Sequence, residues 1–198
     1  MTWNFQVKIL YLSIINKVTM KNKQITAVED GEKYWVSQRA VGCGIFLFRK
    51  SDTGIEVCII KRKDSVEELG GRWCCPCGYL DADETGEECA SRELREETGI
   101  YIAPEAMSLV NVSTSPKEYG QHVCLEYAHL MTEADFIFNP EFAPTDKDEI
   151  DTVMWVNIRE LGKYKLCFNH TEKCMRIIQK LLFHGIQSGL IKRNYILL

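Results

Sequence analysis

Between Thr85 and Gly99 the sequence specifies a helix from both ends, and this helix constrains the rest of the chain more than any other feature. Thr85 and Glu88 have the spacing of a capping box, in which hydroxyl and carboxylate each accept a hydrogen bond from the other residue's backbone N–H. Gly99 supplies the left-handed residue that ends a helix, so the spacing predicts a helix running to Thr98. At about 100° per residue, Glu93, Glu96 and Glu97 fall on one face, with Ala90 and Leu94 turned to the core. Like charges three and four residues apart cost about 0.2–0.5 kcal/mol per pair unless something positive lies between them. A Glu-rich face is most often simply solvated. The sharper reading is a hard divalent cation, Mg²⁺ or Mn²⁺, because such ions take carboxylate and water oxygens and bridge protein to phosphate. Arg92, four residues before Glu96, is placed to hold a carboxylate in one rotamer.

Around this helix the chain reads as an ordinary globular sequence. Its 198 residues are 45% hydrophobic and 26% charged, enough for one domain with a true core. A net charge of −4 argues against broad nucleic-acid binding or an anionic membrane surface, which need a basic field. Nine cysteines are an odd count with no export signal beside them, so reduced thiols in a cytoplasm are expected. The Cys74/Cys77 pair and the set Cys167, His170, Cys174 have passable ligand spacings, but core and surface roles are expected for them rather than zinc. Residues 40 to 48 and 55 to 62 read as a hairpin around Ser51-Asp52-Thr53-Gly54, followed by a short apolar piece at 73 to 75. Further strands are expected near 107 to 113, 122 to 131 and 152 to 157, with a helix over 171 to 184. Residues 21 to 34 read as irregular. Residues 5 to 18 are apolar but interrupted by Lys8 and too short to span a bilayer, so an element covering an edge of the core is expected, with Met20 an alternative start.

The helix also sits inside a longer pattern. Gly78, Glu84, Arg92-Glu93-Leu94, Glu96-Glu97 and Gly99-Ile100 fill every fixed position of the Nudix box, and in this the chain resembles the Nudix hydrolases. The resemblance implies an α/β fold, an α/β/α sandwich with a mixed β-sheet, here over residues 39 to 198 behind an N-terminal extension of residues 1 to 38. It implies divalent-dependent attack of water on a phosphoanhydride of a nucleoside diphosphate linked to another group. By motif position Glu93, Glu96 and Glu97 are the implied metal ligands, with the Gly78 carbonyl a further one, and Arg92 orients the carboxylates. Glu84 is assigned to the loop or helix end. Glu149, six residues ahead of Trp155, matches the extra family Glu that serves as ligand or general base, and is equally readable as a solvated loop acid.

The chain departs from the family at Cys77, where a glycine is usual, and a small buried residue is expected there. Pro116, 16 residues past Ile100, is placed as in the family's ADP-ribose pyrophosphatases, and it is also ordinary turn punctuation. ADP-ribose or a dinucleotide is therefore the first expected substrate. Tyr119 is a candidate to stack a base, and Arg62 and Arg72 to meet phosphate. A nucleoside triphosphate pyrophosphatase and a non-catalytic nucleotide-sensing module are the alternatives, the latter disfavoured by the intact acidic set. A small-molecule nucleotide is the expected partner, and a homodimer is allowed for.

Overall fold

The computed structural model describes residues 25–29, 31–36, 40–67, 69–114, 122–138 and 141–187. The chain divides into two units, Met1–Gln38 and Arg39–Leu198. In the first, β1 (Ile25–Glu29) and β2 (Glu32–Val36) pair antiparallel, with Gly31 at φ +85° in the turn. The expectation of irregular chain over 21 to 34 is thus corrected. Two alternating stretches flank Asp30-Gly31, and that dipeptide is a hairpin signal that the polar composition obscured.

The second unit is built on β3 (Val41–Ser51), whose side chains alternate between two apolar faces. Cys43, Ile45 and Leu47 belong to a core shared with Ala90, Leu94 and Ile100, whereas Phe46 and Phe48 belong to a core shared with Cys174, Ile177 and Ile178. A strand buried on both sides reads as the continuous apolar run that the sequence shows. The strand turns back into β4 (Gly54–Arg62), and β5 (Trp73–Cys74) and β6 (Cys77–Tyr79) follow. After the helix α1 (Gly86–Thr98) come β7 (Ser108–Ser113), β8 (Val123–Leu130), α2 (Glu133–Phe138), β9 (Ile150–Asn157) and α3 (His170–Gln187).

The sheet runs β5-β4-β3-β8-β7, with β6 also pairing β3 and β9 also pairing β4. The β3–β8 pair is parallel and the others antiparallel, so the sheet is mixed. Helix α1 covers one face and α3 the other, the α/β/α layering that the sequence implied. Glu126 on β8, fully buried, ion-pairs with Lys173 at 3.0 Å and Arg176 at 2.8 Å and ties α3 to the sheet. Among the described residues no helix is long and apolar enough to cross a membrane.

Candidate active site

Local sequence sets α1 in place. The Glu88 N–H donates to Thr85 Oγ1 at 3.3 Å and the Thr85 N–H to Glu88 Oε2 at 2.7 Å, completing the capping box. At the other end Gly99 is left-handed, and its N–H donates to the Arg95 carbonyl at 2.8 Å. A side chain at Gly99 would strike the backbone of Ala143, because the segment before β9 packs on the end of the helix. That segment takes up carbonyls a helix end leaves unsatisfied. Ala143 N–H donates to Thr98 at 3.0 Å, and Thr145 and Asp146 N–H donate to Glu96 at 2.9 and 3.0 Å.

The acidic face of α1 completes the outer edge of β6. Gly78 is the register partner of Cys43, with Ile45 N–H bonded to the Pro76 carbonyl and Leu80 N–H to that of Val41. Antiparallel alternation therefore turns the main-chain groups of Gly78 toward β3 and those of Cys77 and Tyr79 away from it. The Cys77 N–H donates to Glu97 Oε2 at 2.8 Å, and Arg92 Nη2 donates to the Tyr79 carbonyl at 3.0 Å. Glu93 lies so close over Gly78 that any β-carbon there would collide with its carboxylate. Gly78 is thus required for the approach of strand and helix, and the carbonyl on the side of α1 is that of Cys77, where the sequence pattern had suggested Gly78's own.

Arg92 gathers the acids. Its Nε and Nη2 grip Glu84 in a fork at 2.9 and 2.6 Å, while Nη1 donates to Glu93 at 2.7 Å and to Glu96 at 3.2 Å. Hydrogen bonds from Arg92 hold the Glu84 carboxyl down to about 2, and Glu84 in turn raises the guanidinium. Burial raises Glu93, with Arg92 acting against it. Glu97, 3% exposed, is pushed well above the usual carboxylate range, first by burial and then by Cys77 and Glu93. Glu96 is about half exposed. Arg92→Lys keeps the charge and loses the planar fork. It is expected to lower activity by about tenfold or more and the melting temperature by several degrees, to be checked by kcat and thermal unfolding; an unchanged kcat would remove Arg92 from the site.

The structure brings Arg92, Glu93, Glu96, Glu97 and Gly78 together and makes Glu84 the anchor of Arg92, a role that its place outside the helical face only partly disclosed. Glu149 pairs with Arg62 instead, Nη2 to Oε2 at 2.9 Å, and is about half exposed. Glu97 and Arg62 act on one another electrostatically, so this pair borders the acidic face. Arg62 Nε is buried and has no hydrogen-bond partner among the described residues. Arg72 is exposed, its N–H and carbonyl engaged in the turn before β5. Tyr119 and Pro116 lie outside the described residues, as do residues 5 to 18 and Met20. All nine cysteines are free thiols, with Cys75 and Cys174 Sγ atoms 3.6 Å apart in the core.

Among the described residues no three His, Cys, Asp or Glu side chains converge as a ready-made metal centre. Arg92 stands between Glu93 and Glu96, and Glu97 is turned to the Cys77 N–H. The donor chemistry nonetheless suits a hard divalent ion: three carboxylates share one helix face, and burial and mutual repulsion disfavour charge on two of them.

A model of the NUDIX domain matches residues 38–175, most of the chain and all of this site. The chain belongs to the NUDIX family. The ADP-ribose pyrophosphatase of Methanocaldococcus jannaschii is 38% identical over 61 residues, 31% of this chain and 34% of that protein. Phosphatase NudJ of Shigella boydii serotype 4 is 31% identical over 99 residues, 49% of this chain and 60% of that protein. The chain thus spans between a third and three-fifths of the length of these curated relatives. In fold it is similar to the NUDIX domain of Shewanella oneidensis NrtR complexed with ADP ribose, at a TM-score of 0.61 and 20% identity over 72% of this chain and 88% of that one.

Proposed function

We propose that this NUDIX-family protein is a divalent-dependent hydrolase of a phosphoanhydride bond in a nucleoside diphosphate linked to another group, with ADP-ribose the first substrate. The observation that carries the reading is the acidic face itself. Three carboxylates are crowded on one helix: Arg92 holds Glu93 and Glu96, and Glu97 is nearly fully buried against a backbone N–H. Such crowding gives a plain binder nothing and costs stability, whereas a site for a cation on phosphate requires it. ADP-ribose is favoured because it stands in the name of the Methanocaldococcus jannaschii relative and in that of the NrtR fold neighbour.

Glu93, Glu96 and Glu97 would hold Mg²⁺ or Mn²⁺, helped by the main-chain carbonyl of Cys77. When bound, the ion supplies Lewis-acid neutralisation of phosphate charge. Arg92 keeps Glu93 and Glu96 in place. Glu149, with Oε2 held by Arg62, offers Oε1 to take the proton of the attacking water. Arg72, exposed in the turn before β5, remains a candidate for phosphate contact.

Incubation with Mg²⁺, in oxygen-18-labelled water, of a panel of ADP-ribose, dinucleotides, nucleotide sugars and nucleoside triphosphates tests this. The expected result is AMP and ribose 5-phosphate from ADP-ribose, one of them carrying label. Mg²⁺ or Mn²⁺ is also expected to raise the melting temperature by mass action. Turnover of triphosphates alone would reject the diphosphate preference, and binding without turnover across the panel would make the protein a sensor.

A further inference from the structure

The acidic face and Glu149 stand on different elements, and Asp146 joins them. Its N–H donates to the Glu96 carbonyl of α1 at 3.0 Å. Its side chain reaches the following turn, where Oδ1 accepts the Glu149 N–H at 3.1 Å, and its own carbonyl accepts the Ile150 N–H at 3.2 Å. A capping residue holds the first turn of a helix in the same way, its carboxylate taking an N–H further along the chain. Here the turn is a single one and runs straight into β9. In sequence Asp146 belongs to the polar run Asp146-Lys-Asp-Glu, which reads as a solvated loop.

The far side of this turn is fixed to β4. The Lys63 N–H donates to the Glu149 carbonyl at 2.8 Å and Lys63 Nζ to the Lys147 carbonyl, while Arg62 holds the Glu149 carboxylate at 2.9 Å. Arg62 is anchored in turn, its N–H donating to the Arg72 carbonyl and its carbonyl accepting the Gly71 N–H, both at 3.0 Å. Glu149 is about half exposed, so these bonds rather than packing set its place. Its main chain is tied on one side to β4 and on the other, through Asp146, to α1. In that second tie only the bond to Oδ1 depends on a side chain, and a substitution can remove it alone. A general base must stand within hydrogen-bond reach of the proton it takes. A misplacement of about 1 Å can cost about a hundredfold in rate, so the tie that sets the distance of Glu149 from the acids bears on turnover.

We propose that Asp146 is a positioning residue, which holds Glu149 at a set distance from the acidic face through the acceptor on its side chain and not through its charge. The proposal rests on the reading of Glu149 as the base, and two measurements keep the two apart. The first is amide hydrogen exchange, followed by NMR on the metal-free protein, in the wild type, Asp146→Ala and Asp146→Asn. Asparagine keeps the acceptor and alanine removes it, while the main-chain bonds of the residue survive both changes. The Glu149 N–H is expected to exchange about tenfold or more faster in Asp146→Ala, and within about threefold of wild type in Asp146→Asn. The second is steady-state kinetics with Mg²⁺ on whichever diphosphate is turned over. Asp146→Ala is expected to lower kcat by about tenfold or more with KM within about twofold of wild type, and Asp146→Asn to restore kcat to within about threefold. On a Glu149→Gln background, Asp146→Ala is expected to change kcat by less than about twofold, because the group it positions is gone. Unchanged exchange at Glu149 in Asp146→Ala, an equal loss of kcat in Asp146→Asn, or the full loss repeated on Glu149→Gln would overturn the proposal while the hydrolase reading stands. A wild type that turns over nothing would bring down the hydrolase reading and the positioning role with it.

Discussion

Glu97→Gln is expected to lose at least about two orders of magnitude in kcat on whichever substrate the panel turns over, while the melting temperature of the metal-free protein does not fall. The two halves of this expectation have one cause. Glu97 sits 3% exposed between α1 and β6, and among the described residues the only hydrogen bond its side chain accepts comes from the Cys77 N–H at 2.8 Å. A glutamine carbonyl accepts that bond equally well, so the strand edge stays satisfied. What disappears is a carboxylate that burial and the neighbouring Glu93 both disfavour. The fold is relieved of a strain that only function requires. The substitution is also expected to reduce the rise in melting temperature on adding Mg²⁺. A variant as active as wild type would remove Glu97 from the chemistry, and one that unfolds several degrees lower would make the carboxylate a structural acceptor.

Which parts of this site the sequence disclosed follows from how local their causes are. The ends of α1 were legible because a capping box and a left-handed glycine act within four residues, and the pattern from Gly78 to Ile100 marked the acids on that helix. The β3–β4 hairpin was legible for the same reason, two apolar runs about one turn. The hairpin of β1 and β2 was equally local, and was missed because composition was weighed above Asp30-Gly31. Contacts across long stretches of chain left no such trace. Arg62 and Glu149 are 87 residues apart and were assigned separately to phosphate and to proton transfer, yet they meet as an ion pair. Pairing of β6 with β3 decides that Gly78 faces the sheet, and a motif that only counts positions does not encode that partner.

The stability of the second unit is expected to depend on pH through His170, the first residue of α3. Its ring is buried against Phe46, at 5.3 Å between centroids, and Phe168 at 5.4 Å. Nδ1 accepts the Cys75 N–H at 2.9 Å, which requires the neutral ring with its proton on Nε2. Burial first, and Lys173 one turn along second, lower its pKa from 6.5 to about 3. The positive end of α3 acts in the same direction. Between these values the unfolded chain binds a proton that the folded chain refuses. The contribution of His170 is therefore fully present above about pH 6.5 and is lost as the pH falls toward 3, at a slope approaching about 1.4 kcal/mol per unit. His170→Asn places an amide carbonyl where Nδ1 accepts and cannot titrate, so it isolates the effect. Loss of the ring contacts lowers its stability at every pH, and only the slope is compared. Urea unfolding at pH 6.5 and pH 5 should show the wild type losing about 1.7 kcal/mol more than the variant over that interval. Parallel curves would mean that the ring takes up its proton in the folded state, and that the Cys75 N–H finds another acceptor when it does.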